Sequence, residues 1–223
     1  MLTKLFNIGR PIIQDSTNPY LHIAYKYKLR NYRLITDGEM LIRGKDLDIP
    51  EYVKLFINSN HEALMIANII QGKVVNIVFR TILGDKQFIK LGPTKLYLYG
   101  IGDLDDDFKY GDTLLIVEGN LDRDVMKQIY PNTVAIMTNI LSKTQVELLK
   151  GMTNKFIFML DNDEAGKKGT RIAKRQFKDC NIKILNHLSG CKDAGELAKL
   201  ELKNKYEYEF IIKFYKMQIN MMT

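Results

Sequence analysis

Thr113-Leu114-Leu115-Ile116-Val117-Glu118-Gly119-Asn120-Leu121-Asp122 and Lys155-Phe156-Ile157-Phe158-Met159-Leu160-Asp161-Asn162-Asp163-Glu164-Ala165-Gly166 share one plan. A short apolar run ends in a carboxylate, then a glycine-containing turn opens a stretch compatible with a helix. Two more apolar runs, at 134–137 and 182–185, punctuate the same region. Helical patterns are predicted at 121–129, 142–150, 164–178 and 193–203. Ser142 is placed to cap the second, while Glu147 lies too far along for a capping box. Strands that are apolar throughout and alternate with helices predict a parallel sheet covered on both faces. Residues 111–200 therefore read as an α/β domain.

In such sheets ligands bind beyond the carboxyl ends of the strands. Glu118 follows the first strand, Asp161 and Asp163 follow the third, and Asp193 follows the fourth. Asp161 and Asp163 stand two apart in an extended segment, so their side chains are expected to project the same way. Hard oxygen donors of this kind suit Mg²⁺. Asp163 is also placed to cap the helix that follows. On that helix, Lys167, Arg171, Lys174, Arg175 and Lys178 fall on one face, and Ala165, Gly169, Ile172, Ala173 and Phe177 on another. The basic face reads either as a solvated surface or as a phosphate-facing stripe. Asp103, Asp105, Asp106 and Asp107 read as a polar loop.

The N-terminal part is different. Residues 20–33 carry tyrosines among basic residues and suggest a helix, and Asp48-Ile49-Pro50 suggests a helix start leading into 51–58. Residues 61–70 form a short amphipathic segment. Residues 74–83 are rich in β-branched side chains and predict a strand, turned at Gly84-Asp85 to pair with 87–91. Tyr20, Tyr25, Tyr27 and Tyr32 are either packing groups or stacking surfaces for unpaired bases.

The whole chain has 223 residues and a net charge of +7, which favours a polyanionic partner without naming it. The balance is basic over 1–100 and 152–223 and acidic between them. Two cysteines exclude a disulfide scaffold and a four-cysteine zinc ribbon. No run is apolar and long enough to span a bilayer and no signal-peptide core is present, so a cytoplasmic protein without membrane contact is expected. No G-x-x-x-x-G-K-[ST] occurs, so no fused P-loop helicase is expected.

The ordered pair Val117-Glu118-Gly119-Asn120-Leu121-Asp122 and Asp161-Asn162-Asp163-Glu164-Ala165-Gly166 resembles the TOPRIM domain of primases, topoisomerases and certain nucleases. Gly72-Lys73-Val74-Val75-Asn76-Ile77-Val78-Phe79-Arg80-Thr81-Ile82-Leu83, Leu98-Tyr99-Gly100-Ile101 and Lys192-Asp193-Ala194-Gly195-Glu196-Leu197 resemble segments of bacterial DnaG-type primases. The resemblance implies an α/β fold: a TOPRIM domain (Rossmann-like, its mostly parallel sheet flanked by helices) preceded by a smaller mixed α+β basic subdomain. The expected organisation is 1–110 basic subdomain, 111–200 TOPRIM domain and 201–223 helical tail. It implies a nucleotidyltransferase, a DNA primase that makes short RNA primers for DNA replication from NTPs on a single-stranded DNA template with Mg²⁺ or Mn²⁺.

By the same resemblance, Glu118, Asp161 and Asp163 are catalytic, and Glu118, Asp161, Asp163, Asp193 and Asp122 are metal ligands. Arg80, Lys86, Lys90, Lys167, Arg171, Lys174 and Arg175 are expected to bind nucleic acid or nucleotide. Three departures stand out. Val78-Phe79 replace two glycines, Gly195 replaces an aspartate, and the zinc ribbon is lacking, so no zinc is expected. A chain of this phage-like kind implies a replicative helicase or a separate zinc-binding module as partner. Two alternatives stay open: a TOPRIM-type metal-dependent nuclease, and a non-catalytic nucleic-acid-binding accessory protein.

Overall fold

In a computed structural model, residues 2–12, 17–36, 38–39, 50–58, 62–82, 85–188 and 191–223 are described. The expected helix start at Asp48-Ile49 and the turn residue Gly84 lie outside them. The chain divides into two compact units, 1–94 and 95–223. Residues 95–110, grouped by the sequence with the N-terminal part, fall in the second unit, as does the tail from 201.

The first unit is built on an antiparallel sheet of order β1-β2-β3-β4: β1 Tyr32–Thr36, β2 Glu62–Ile70, β3 Lys73–Thr81 and β4 Phe88–Leu91. The amphipathic segment at 61–70 is thus a central strand, paired on one side with β1 and on the other with β3. Its alternate residues Ala63, Met65 and Ala67 join Ile77 and Phe79 of β3 in the core, capped by Leu5 and Phe6 of helix α1 (Leu2–Phe6). Gln71 and Gly72 both have positive φ (49° and 75°), the signature of a two-residue hairpin that matches strand twist. Helix α2 runs only from Pro19 to Lys26. Asn18 caps it and Lys28 adopts a left-handed φ of 50°, so the chain leaves the helix and enters β1 at Tyr32. Tyr32 is fully buried, which removes it from the stacking set. Helix α3 spans Glu51–Asn58 after Pro50, as expected.

The second unit carries a parallel sheet of order β6-β5-β7-β8: β5 Thr113–Val117, β6 Thr133–Ala135, β7 Lys155–Met159 and β8 Asn181–Ile184. β5 and β7, the two strands bearing the motif carboxylates, are adjacent in the centre, and Val117 pairs with Met159. Helices α4 (Asn120–Met126), α5 (Lys143–Met152) and α6 (Glu164–Gln176) alternate with the strands. Phe156 and Phe158 pack edge-on against Phe177, with ring centroids 4.8 and 5.3 Å apart. Each such buried ring contributes roughly 1.5–3 kcal/mol by area alone. Ser142 does cap α5, and a capping box is present after all: Gln145, not Glu147, accepts from the Ser142 amide at 3.1 Å. Gln145 also donates to the carbonyls of Tyr97 and Ile136, and Tyr99 pairs with Ala135, which ties residues 95–99 to this unit.

Helices α7 (Glu196–Lys203) and α8 (Lys205–Met222) close the chain. Ile211, Tyr215 and Ile219 form the buried stripe of α8. Among the described residues, no helix is long and apolar enough to cross a membrane.

Candidate active site

Glu118 and Asp161 lie at the carboxyl ends of β5 and β7, while Asp122, Asp163 and Asp193 lie at or near the starts of the helices that follow β5, β7 and β8. Glu118 follows β5 directly. Its Oε2 is buried and has no hydrogen-bond partner among the described residues. Burial first, then repulsion by Asp163 and Asp122, raises its pKa to about 7. Asp161 follows β7 after Leu160. Burial, then the charges of Asp122, Glu118, Asp193 and Asp163, raises it to about 8. Asp163 behaves oppositely. It is the N-cap of α6, its Oδ1 accepts from the Gly166 amide at 2.9 Å, and its Oδ2 pairs with Lys192 Nζ at 3.1 Å. Those two contacts, the amide first, hold it below the usual carboxylate range.

The Asp161–Gly166 turn requires its glycine. A Cβ on Gly166 would lie 2.0 Å from the Asp161 carbonyl oxygen, because α6 starts directly over that peptide. The turn is also tied to the segment after β8. The Asn162 amide donates to the Lys192 carbonyl at 2.7 Å. Asp193 Oδ1 accepts from the Glu196 amide at 2.9 Å and so starts α7.

Asp122 occupies a special place. Its Oδ2 accepts from the Gly119 amide at 3.0 Å and its Oδ1 from the Gly195 amide at 2.6 Å. Both oxygens are thus engaged by backbone, pinning the turn after β5 to the start of α7. A Cβ on Gly195 would meet Asp122 Oδ1 and Asp193 Oδ1 at 3.2 Å each, so the glycine that replaces the family's aspartate sits in a crowded spot.

The structure therefore gathers Glu118, Asp122, Asp161, Asp163 and Asp193 into one electrostatically coupled group and adds Lys192, which has no role in the sequence reading. Among the described residues, no three acidic, histidine or cysteine side chains already stand as a closed metal cage. The donor set nevertheless fits a hard divalent cation: oxygens only, one of them buried and unpartnered, two acids destabilised by mutual repulsion, and an anion at Asp163 whose present counter-ion is Lys192.

Of the basic candidates, Lys167 and Arg171 line a cavity that also reaches Asp161, whereas exposed Lys174 and Arg175 are not among its lining residues. Ala165 is exposed, and Gly166 takes the buried position expected of it. Arg80, Lys86 and Lys90 belong to the first unit. Arg80 lies 3.5 Å over the Tyr20 ring and 4.8 Å from that of Phe88, and donates to the Tyr20 hydroxyl. Lys86 also faces Phe88. Lys90 is exposed on β4 opposite Val78.

One polar network escaped the sequence reading. Arg123 is 1% exposed and bonds Asp124, Asp103, the Thr133 carbonyl and the Gly100 carbonyl. Tyr99 donates to Asp124 at 2.8 Å. Asp103 is therefore one end of a buried ion-pair chain, while Asp105, Asp106 and Asp107 are the exposed polar loop expected.

Residues 115–198 match the family model described as Toprim-like. The chain is similar to a DnaG primase catalytic domain bound to single-stranded DNA, with TM-score 0.63 at 17% identity, covering 95% of this chain and 76% of that one. It is similar to the primase catalytic core of E. coli, with TM-score 0.61 at 17% identity over 95% and 77%. The RNA polymerase domain of Mycobacterium tuberculosis primase DnaG, in complex with double-stranded DNA, gives TM-score 0.64 at 16% identity over 95% and 78%. No curated protein matches by sequence. The chain thus carries a Toprim-like domain and has the fold of the DnaG primase core.

Proposed function

We propose that this protein is a DNA primase, joining ribonucleotides on a single-stranded DNA template by divalent-metal-dependent nucleotidyl transfer. The observation that carries this reading is the coupled group of Glu118, Asp161 and Asp163 at the ends of two adjacent strands, in a primase-core fold. The likeness runs over 95% of the chain and so includes the antiparallel unit, which supports synthesis over hydrolysis by an isolated TOPRIM nuclease.

Glu118, Asp161, Asp163 and Asp193 are the residues that would hold Mg²⁺ or Mn²⁺. A cation bound there neutralises charge on the phosphates undergoing transfer. Asp163 supplies a permanent anion, because the α6 amide and Lys192 keep it ionised. Glu118 either lends an oxygen to the cation or, left unligated, accepts the proton of the attacking 3′-hydroxyl; without a cation, burial and its acidic neighbours hold its pKa at about 7, close to the working pH that suits a base. Asp122 acts through backbone, holding the Gly119 and Gly195 turns in register so that Glu118 and Asp193 face one group. Arg80, Lys86 and Lys90 of the first unit and Lys167 and Arg171 of the second attract template and nucleotide phosphates. In the cytoplasm such a chain works with NTPs and with a replicative helicase or a separate zinc-binding module.

The test is primer synthesis on single-stranded DNA with labelled NTPs and Mg²⁺ or Mn²⁺. Wild type yields short RNA products, and Asp161→Ala and Glu118→Ala yield none. Equal product from Asp161→Ala rejects the assignment. Shortening of RNA or DNA in the absence of NTPs identifies a nuclease instead.

A further inference from the structure

Beyond the carboxylate group, on the β8 side of Asp161, lies a cavity of about 260 Å³. Asn162, Lys167 and Arg171 line it from the turn after β7 and from α6, and Asn186 and His187 line it from the segment after β8. His187 is 9% exposed; one ring N–H is directed at the Leu160 backbone in loose geometry, and the other ring nitrogen has no hydrogen-bond partner among the described residues. Burying an imidazole with one ring nitrogen unsatisfied costs free energy, and such groups in native folds point to a missing ligand or water. Nearby Asp193 and Glu196 are engaged elsewhere, Asp193 by the Glu196 amide and Glu196 by the Lys192 amide.

The chemistry of the lining selects the ligand. Two cations one helical turn apart and two side-chain amides are groups that donate to anionic oxygens, and the imidazole joins them by taking up a proton when an anion binds. Lys167 makes only an exposed pair with Glu164 at 3.3 Å, worth little in water. The volume lies just below the usual range of ligand cavities, roughly 300–1,000 Å³, which suits a phosphate with part of a sugar better than a length of strand. Asp161 forms the wall shared with the carboxylates, so the anion sits on the Lys167–Arg171 side.

We propose that this cavity is a phosphate-monoester site that takes the 5′-phosphate end of a free nucleotide, held by Lys167, Arg171, Asn162, Asn186 and His187. It rests on the reading above, in which Lys167 and Arg171 attract nucleotide phosphates, and adds where one phosphate sits; binding in EDTA without primer synthesis keeps its failure distinguishable from failure of that reading.

Calorimetric titration of the full chain in EDTA tests it, with AMP, inorganic phosphate, adenosine and a thymidine oligonucleotide lacking a terminal phosphate as probes. AMP and inorganic phosphate are expected to bind competitively and adenosine not to bind. Lys167→Gln/Arg171→Gln, exposed positions that leave the core untouched, is expected to weaken AMP by about 10-fold or more, and His187→Asn by about 5-fold, the scale of charge-assisted and neutral hydrogen bonds. In ¹⁵N spectra, phosphate moves the His187 ring nitrogens and leaves those of His22 in place. Absence of binding, binding unaffected by the double variant, a still His187 signal, or binding of the unphosphorylated oligonucleotide alone overturns the proposal.

Discussion

Asp161→Asn keeps the shape of the side chain and deletes its charge, and we expect it to stabilise the metal-free protein at alkaline pH. Asp161 is pushed from 3.8 to about 8 by burial and by four neighbouring carboxylates. In the folded state its neutral form is therefore favoured. The advantage of the protonated form is complete below about pH 4, is lost progressively as the pH rises, and is gone above pH 8. Each pKa unit corresponds to about 1.4 kcal/mol, but the group is only partly buried and solvent screens the repulsion, so the net penalty at pH 8.5 is about 1–2 kcal/mol. Urea unfolding followed by circular dichroism in EDTA checks this at pH 5.5 and 8.5. The asparagine variant should exceed wild type by that amount at pH 8.5, and the gain should shrink at pH 5.5. Adding Mg²⁺ should reverse the order, because only wild type gains stability from a bound cation. A variant no more stable than wild type at pH 8.5, or a gain independent of pH, would refute the mutual repulsion on which the site assignment rests.

Three other substitutions probe the scaffold. Gly166→Ala places a methyl 2.0 Å from the Asp161 carbonyl oxygen, backbone that cannot rotate away, and should cost about 3 kcal/mol or more in thermal unfolding, with Mg²⁺ affinity lost in step. Arg123→Gln leaves Asp124 fully buried without its counter-charge and should cost about 3–5 kcal/mol, with Arg123→Gln/Asp124→Asn recovering part of it in the same assay. Lys192→Gln breaks an exposed pair and should change stability by less than about 1 kcal/mol, while the Asp163 carboxyl, followed by ¹³C NMR titration, should move up toward its ordinary value.

Much of the second unit was legible because β5 and β7 are apolar on both faces and each carries its carboxylates just past one end. Glu118, Asp161 and Asp163 could be picked out from that alone. Strand order could not: local pattern does not say that β5 and β7 are neighbours, and only that pairing brings Glu118 beside Asp161. Ala165 and Gly166 show how narrow the helical phase is, since one residue, about 100°, separates an exposed alanine from a buried glycine. Tyr32, among basic neighbours, is open in the sequence between packing and base stacking; it is the first residue of β1 and its face is core, which selects packing. The Ser142-x-x-Gln145 box was present in the sequence, and counting glutamine as well as glutamate at the third position would have found it. Arg123 left a fainter trace, a charged Leu-Asp-Arg-Asp-Val run inside a helix whose every residue from Leu121 to Met126 is buried.

The D-x-D spacing carries more meaning than projection to one side. Between Asp161 and Asp163 the chain passes from the end of a strand to the cap of a helix. Asp161 keeps the surroundings of the sheet edge, half-buried among like charges, and resists ionisation. Asp163 has reached the α6 N-terminus, where an unpaired amide and Lys192 stabilise its anion. Two chemically identical side chains thus differ in charge at neutral pH because the backbone changes between them. Under the proposed function, one is a fixed anion that would attract a cation electrostatically, and the other, with Glu118 where it serves as a ligand, would give up its proton as the cation binds. A D-x-D within one continuous strand or one continuous helix would lack this division, which is why the motif marks a strand-to-helix turn and why Gly166, permitting that turn, belongs to the site as much as the carboxylates do.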